Sequence, residues 1–204
     1  MRRELLARLS LVGVDGLAPL RLYRATPTSR LSQLGGDTAP YFAHAWGGGL
    51  ALAHHMKMHP QVVAGRRVLD LGTGGGIAAL SASIAGAAGV TGVDIDPLAV
   101  ATAKLNAEAN GLSVHFETGD ALTVPVAAEV VLAGDLFYDA DLAVHMLTRL
   151  REIAADGVDV LIGDPGRRTL PLDALQPVAC YPVQDFGESS GEAASTGTIY
   201  TIRH

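Results

Sequence analysis

The sequence predicts an α/β domain built on one mostly parallel, doubly wound sheet of about seven strands, with helices on both faces and an antiparallel strand at the C-terminal edge. Three observations carry this expectation. From residue 61 onward, short apolar runs alternate with longer alanine-rich helical patterns, which is how strands joined by crossover helices read. The first of these strands runs into a cluster of glycines at the mouth of a helix. The last two β-rich stretches follow one another with only a polar, glycine-bearing segment between them, so they pair as strands.

Taken in order, Arg67–Leu71 is the first strand and Ile77–Ala87 the helix after it. Val90–Ile95 is the second strand, and Pro97 at a first helical position opens Leu98–Asn110, which Gly111 stops. Val114–Glu117 is a short third strand and Val130–Ala133 the fourth. Leu142–Ala155 is a helix and Val158–Gly163 the fifth strand. Val178–Val183 and Thr198–Ile202 close the sheet on either side of Gly187–Gly197. Upstream, Leu50–Met58 is a further helix. Residues 1–39, punctuated by Pro19, Pro27, Gly35 and Gly36 and with only a brief helical signal at Arg3–Leu9, are expected to form a partly mobile N-terminal extension; residues 40–204 are the domain proper.

Composition narrows the function. A chain of 204 residues fits one domain with a full core, and 49% hydrophobic against 18% charged side chains excludes a disordered or coiled-coil chain. The single cysteine, Cys180, excludes a disulfide framework and a cysteine-rich metal site, and is expected as a small core residue. The net charge of −6 divides unevenly: six arginines face Glu4 and Asp15 within residues 1–30, whereas nine basic and nineteen acidic side chains fill the rest. An acidic body disfavours nucleic acid as a partner. The arginine-rich start reads first as a solvated face, then as a docking arm or presequence remnant, and Glu4 and Asp15 interrupt any presequence pattern. No apolar run approaches a membrane span, so a cytoplasmic protein without a membrane partner is expected, and a monomer. His54, His55 and His59 lack the Glu of a metalloprotease helix and a third ligand at defined spacing, so they are expected as surface histidines with no metal.

The chemistry is carried by Val68-Leu69-Asp70-Leu71-Gly72-Thr73-Gly74-Gly75-Gly76. Such a loop lets a ligand approach the backbone closely, and its spacing decides which ligand. A dinucleotide fingerprint fails because Gly72-x-Gly74-x-x leads to Ile77, and no Gly-Lys-Ser/Thr follows for a phosphate loop. Asp-x-Gly-x-Gly-x-Gly, with Asp70, Gly72, Gly74 and Gly76, fits instead, and resembles the first motif of the Rossmann-like, seven-strand methyltransferases that use S-adenosylmethionine. After the second strand, the Asp94 carboxylate can accept both hydroxyls of a ribose, while Asp96 before Pro97 reads as a helix cap. Asp120, after the third strand, is where the resemblance places an acid against the adenine amino group.

The fourth strand ends in Ala133-Gly134-Asp135-Leu136-Phe137-Tyr138-Asp139, where open α/β sheets place their chemistry. The Asp-x-x-Tyr form, Asp135 to Tyr138, resembles the protein-lysine methyltransferases of this class. A carboxylate and a phenol suit an aliphatic amine, which must lose its proton before it attacks a methyl group. With Pro40-Tyr41-Phe42-Ala43-His44-Ala45-Trp46-Gly47-Gly48-Gly49 upstream and Leu161-Ile162-Gly163-Asp164-Pro165-Gly166-Arg167 downstream, the chain from Pro40 to Arg203 resembles the electron-transfer flavoprotein β-subunit lysine methyltransferases. Gly47 departs from the proline of that pattern.

The resemblance implies trimethylation of lysines on that flavoprotein subunit, with S-adenosylmethionine as donor and S-adenosylhomocysteine as product. It implies Asp135 and Tyr138 as catalytic residues. It implies a cofactor site of Trp46, Asp70, Gly72, Thr73, Gly74, Gly76, Asp94, Ile95, Asp120 and Gly134, and substrate contacts from Phe137, Asp139 and Asp164. Asp164 reads equally as a contact to the amine or as a cap for the turn after Pro165. Three rivals stay open: a methyltransferase acting on a ribosomal protein or small amine, a nicotinamide oxidoreductase disfavoured by Ile77 and by the lack of a tyrosine–lysine relay, and a non-catalytic cofactor-binding module.

Overall fold

A computed structural model describes residues 1–29, 31, 40–183 and 195–203. The chain begins with helix α1 (Arg2–Arg8) and a two-stranded antiparallel hairpin, β1 (Ser10–Gly13) with β2 (Arg21–Arg24). Helix α2 (Gly47–Met58) leads into the alternating series β3 (Arg67–Leu71), α3 (Ile77–Ile84), β4 (Gly89–Asp94), α4 (Pro97–Asn110) and β5 (His115–Thr118). Then follow β6 (Val130–Gly134), α5 (Ala140–Ala155), β7 (Asp159–Asp164), β8 (Leu175–Val183) and β9 (Ser195–Ile202).

The seven strands β3 to β9 lie in one sheet in the order β5-β4-β3-β6-β7-β9-β8. The first five are parallel, and β9 pairs antiparallel with both β7 and β8. The winding reverses between β3 and β6, where Leu71 pairs with Ala133, so a crevice opens outside the carboxyl ends of these strands. Each strand feeds both faces by simple alternation. Val68, Val130 and Leu132 pack toward Leu52, Met56, Leu80 and Val100 of the helices on one side; Leu69, Leu71, Val131 and Ala133 pack toward Met146, Leu150 and Ile153 of α5 on the other.

Helix boundaries follow local chemistry. Helix α3 ends at Ile84, three residues before the expected stop, because Gly86 turns left-handed at φ +90°. Helix α4 starts at Pro97 behind Asp96, whose side chain accepts the Leu98 N–H at 2.8 Å, and ends at Gly111 with φ +64°, as expected. Helix α5 starts at Ala140, two residues early, because Asp139 accepts the N–H groups of Asp141 and Leu142. Strand β8 extends back to Leu175 despite Pro177 and Pro182; it lies at the sheet edge and is irregular between Pro177 and Ala179, where proline's missing donor is tolerated.

Residues 1–29 are no loose arm. Leu5 and Leu9 are buried against Phe42, Ala99 and Leu105, and Leu20 and Leu22 join the main core; each such burial contributes about 1.5–3 kcal/mol. Asn106 Oδ1 accepts the Tyr23 N–H at 2.6 Å, and Asn110 bonds both the N–H and the carbonyl of Arg21, so α4 holds β2 by its backbone. The β1–β2 hairpin was not legible, since Asn106 and Asn110, which hold β2, are some eighty residues away. Gly35, Gly36 and most of Gly187–Gly197 lie outside the described residues. Two further expectations change. Cys180 is exposed, because its edge strand is covered on one side only. His55 is buried, its Nδ1 2.9 Å from the Tyr181 hydroxyl, because α2 lies across the sheet instead of on the surface.

Candidate active site

The glycine loop is stapled from below. Asp70, buried at the end of β3, accepts the Thr73 hydroxyl at 2.6 Å and the Ala79 N–H at 3.1 Å on the same oxygen, tying strand, loop and the first turn of α3 together. Burial pushes its carboxyl up to about 7 against the lowering effect of these bonds. Asp70 therefore supports the loop from beneath. Thr73, also buried, donates its N–H to Val93 O at 2.9 Å.

Asp94, at the end of β4, accepts the Gly74 N–H at 2.8 Å on one oxygen and the Asp96 N–H at 2.9 Å on the other. Burial raises its pKa, partly offset by these bonds. Beside it Ile95 is 73% exposed, an apolar side chain left facing outward at the crevice. Asp120 is exposed and accepts the Leu122 N–H at the head of the turn after β5. Gly74 sits at φ +53°, and apart from its chain neighbours no protein atom lies within 4 Å of where a Cβ would stand. By contrast, a Cβ on Gly72 would stand 2.4 Å from Leu136, so that glycine serves packing between the loop and the β6 end. Open space before Gly74, a half-buried carboxylate in Asp94, an exposed acid in Asp120 and the apolar Ile95 between them fit a nucleoside bearing a charged tail.

The other half of the crevice is made where α2 meets the ends of β6 and β7. The helix N-terminus approaches so closely that a Cβ on Gly48 would stand 2.1 Å from Gly163 O and 2.7 Å from Asp135 N. Gly134 is needed for the same reason: its Cβ would lie 3.1 Å from the Gly49 nitrogen. This seam accounts for Gly48, while a Cβ on Gly49 would stand 2.8 Å from Ile77 of α3. The seam also aims backbone donors at Asp135, whose Oδ2 accepts the Gly49 N–H at 2.9 Å; the Gly48 amide adds to it. Asp135 is held at φ +58°, a left-handed conformation that aspartate tolerates better than most residues. Its Oδ1 accepts Arg167 Nη2 at 2.7 Å. Burial raises the Asp135 pKa, and Arg167 and the α2 amides oppose that rise.

Arg167 reaches this position because Asp164, wholly buried at the end of β7, accepts the N–H groups of Gly166 and Arg167, both at 2.7 Å. Of its two readings, the turn-capping one is what the structure contains. Arg167 also stands over Trp46, 5.7 Å from the ring centre. Trp46 donates its Nε1–H to Tyr41 O at 2.8 Å. Tyr41 in turn lies 5.8 Å from the Trp46 ring and 6.2 Å from Tyr138, and both tyrosines are more than half exposed, an aromatic wall at the mouth. Burial, Tyr41 and Asp139 push the Tyr138 hydroxyl above its usual range.

Two expected substrate contacts have other work. Phe137 is fully buried in the core on the α5 side, and its carbonyl accepts the Thr169 hydroxyl, so its ring has no surface to offer a substrate. Asp139 caps α5. Sequence reasoning missed Arg167 and Tyr41 as site residues; both stood in quoted motifs, but Asp135 and Tyr138, which they meet, are distant from them in sequence.

The family model described as ribosomal protein L11 methyltransferase (PrmA) matches residues 54–160. The electron transfer flavoprotein beta subunit lysine methyltransferase of Xenopus laevis is 38% identical over 80% of this chain and 69% of its own length, and that of Rattus norvegicus is 40% identical over 79% and 66%. Across six curated relatives so named, one of them a Caenorhabditis elegans homolog, the chain spans 51% to 76% of their length. A solved structure of a Pyrococcus abyssi tRNA (uracil-54, C5)-methyltransferase in complex with S-adenosyl-L-homocysteine superposes with a TM-score of 0.59 at 12% identity, covering 96% of this chain and 44% of that one, which is a likeness of fold alone. A methyltransferase sheet, its glycine loop and this extent of identity agree: the chain belongs to the electron transfer flavoprotein beta subunit lysine methyltransferase family.

Proposed function

We propose that the protein transfers methyl groups from S-adenosylmethionine to lysine side chains of the electron transfer flavoprotein beta subunit, up to trimethyllysine. The observation that carries this reading is Asp135: a carboxylate at the switch point, gripped by the α2 amides and Arg167, three residues before the exposed Tyr138. A carboxylate has about four lone-pair sites, and the Gly48 and Gly49 amides with Arg167 take three, leaving one to accept an N–H from a substrate amine. Tyr138 and Tyr41 offer aromatic faces, which attract an ammonium on arrival and desolvate it. The Gly72–Gly76 loop, Asp94, Ile95 and Asp120 would hold the cofactor, which supplies a methyl group on a sulfonium that leaves as a neutral thioether when the amine lone pair takes the carbon. The chain's part is alignment and exclusion of water.

The acidic body, most of whose charge lies outside the first thirty residues, favours a lysine-bearing protein surface over nucleic acid. A monomer working in the cytoplasm is part of the same reading and rests on sequence; no described helix is long and apolar enough to cross a membrane. The test is mass spectrometry of the flavoprotein subunit after incubation with protein and cofactor, where lysine peptides should gain one, two and three methyl groups. A second reading, methylation of a ribosomal protein, is favoured by the match over residues 54–160, which leaves out Tyr41, Trp46 and Arg167. Label appearing in ribosomal protein L11 and not in the flavoprotein subunit would decide for it.

A further inference from the structure

Arg167 meets three parts of the site at once. Its Nη2 donates to Asp135 Oδ1 at 2.7 Å, its guanidinium carbon stands 5.7 Å from the Trp46 ring centre, and its backbone N–H is held by Asp164. The ion pair is enclosed: the side chains are 23% and 12% exposed. This matters because a buried carboxylate has two opposite effects on an amine substrate. It accepts a hydrogen bond and so orients the nitrogen, but a bare negative charge within a few ångströms also raises an amine's pKa by about one to three units. A protonated amine has no lone pair to give.

We propose that Arg167 is a positioning residue that neutralises Asp135, leaving the carboxylate able to orient the substrate amine through a hydrogen bond but unable to hold it in the protonated, unreactive form. The inference rests on amine methylation as proposed above. In the transfer, the nitrogen–carbon bond forms as the carbon–sulfur bond breaks, its electron pair stays on sulfur, and the proton shed beforehand goes to water.

The other ionisable groups around the pair can be named element by element. Asp164 at the end of β7 has Oδ1 occupied by two backbone amides. Tyr138 and Asp139 follow β6, and Asp94 ends β4 and acts on Tyr138. Tyr41 and His44 precede α2, with Arg24 of β2 behind His44. Burial and Arg24 hold His44 below the usual histidine range, so it titrates well away from a lysine amine.

The test is the pH dependence of kcat/KM on the flavoprotein subunit for wild type, R167M and R167K. In R167M the apparent pKa of the rising limb should move up by about one to two units, so that activity at pH 7.5 falls about tenfold or more and recovers at alkaline pH. R167K, which restores the charge, should keep the wild-type profile. R167Q makes the same test if R167M does not fold. A second readout needs no turnover. Asp135 itself can be followed in the free protein by the 13C shift of its carboxyl, whose acid transition should move to higher pH in R167M because the paired Arg167 opposes the rise that burial gives it. Equal loss of activity at every pH would make Arg167 a scaffold residue and overturn the proposal. So would a lower KM with an unmoved profile, since Arg167 would then be competing with the substrate for Asp135. If wild type adds no methyl group to the subunit while the Asp135 carboxyl transition still moves between wild type and R167M, the substrate reading fails and the neutralisation of Asp135 stands.

Discussion

The two halves of the crevice are built by different means. On the β3–β5 side the site is backbone and short-range: a glycine loop, a carboxylate two residues from one of its donors, an acid heading a turn. On the β6–β7 side the contacts that hold the Asp135 carboxylate are long-range, to Gly49 across 86 residues and to Arg167 across 32. The first half leaves open space at Gly74, whereas the seam of the second with α2 leaves none at Gly48, Gly134 or Gly163. In the reading proposed above, a cofactor common to many enzymes would be met by a local motif and the amine by a tertiary assembly.

Removing the centre of that assembly tests the comparison hardest. Asp135→Ala should lower methyl transfer by at least about 10²-fold through lost alignment, while S-adenosylhomocysteine still binds by calorimetry; full turnover by this variant would sink the assignment. On the other side, the pH dependence of stability reads the loop staple. The Asp70 carboxyl is raised to about 7 in the folded chain from 3.8, so the folded state binds the extra proton between those values. Stability therefore falls as pH rises from about 4 to 7, by about 4 kcal/mol from this group alone. Thermal melts of Asp70→Asn should lack that slope.

Two glycines separate the halves more finely. Gly48→Ala forces a Cβ into the Gly163 carbonyl and the Asp135 backbone and should cost about 1–3 kcal/mol in a denaturant titration, with activity lost alongside. Gly74→Ala meets no protein atom, so it should cost only about 1 kcal/mol of left-handed strain while weakening cofactor binding at least about tenfold. If Gly74→Ala binds cofactor normally, the open space before the loop is not the cofactor's. The smallest effect belongs to Asp139→Ala, about 1 kcal/mol from a lost helix cap, with the KM for the protein substrate unchanged if capping is its whole role.

The same division decided what could be read from residues alone. The sheet, its seven strands and its antiparallel finish were legible because apolar runs and glycine or proline stops are local signals, and Asp96 as a cap needed only Pro97 beside it. The N-terminal hairpin was not legible, because it is held by Asn106 and Asn110 some eighty residues away. Phe137 looked like a substrate contact because it stands in the right motif, yet strand-end geometry turns its ring into the core. Arg167 stood in plain view in Gly-Asp-Pro-Gly-Arg, but nothing in the spacing says which carboxylate it meets.

The seam between α2 and the sheet carries one more consequence, for the way such a protein can diversify. Gly48 and Gly163 face each other so closely that neither can acquire a side chain while the other backbone stays put, and Gly197 is closed off by the Gly47 carbonyl and Ala51. These positions can change only together, through a coordinated shift that moves Asp135 as well. Tyr41 and Tyr138, more than half exposed at the rim, carry no such obligation. A lineage exploring new protein substrates is thus free to vary its rim one residue at a time, over a reaction floor whose shape it cannot alter by single steps.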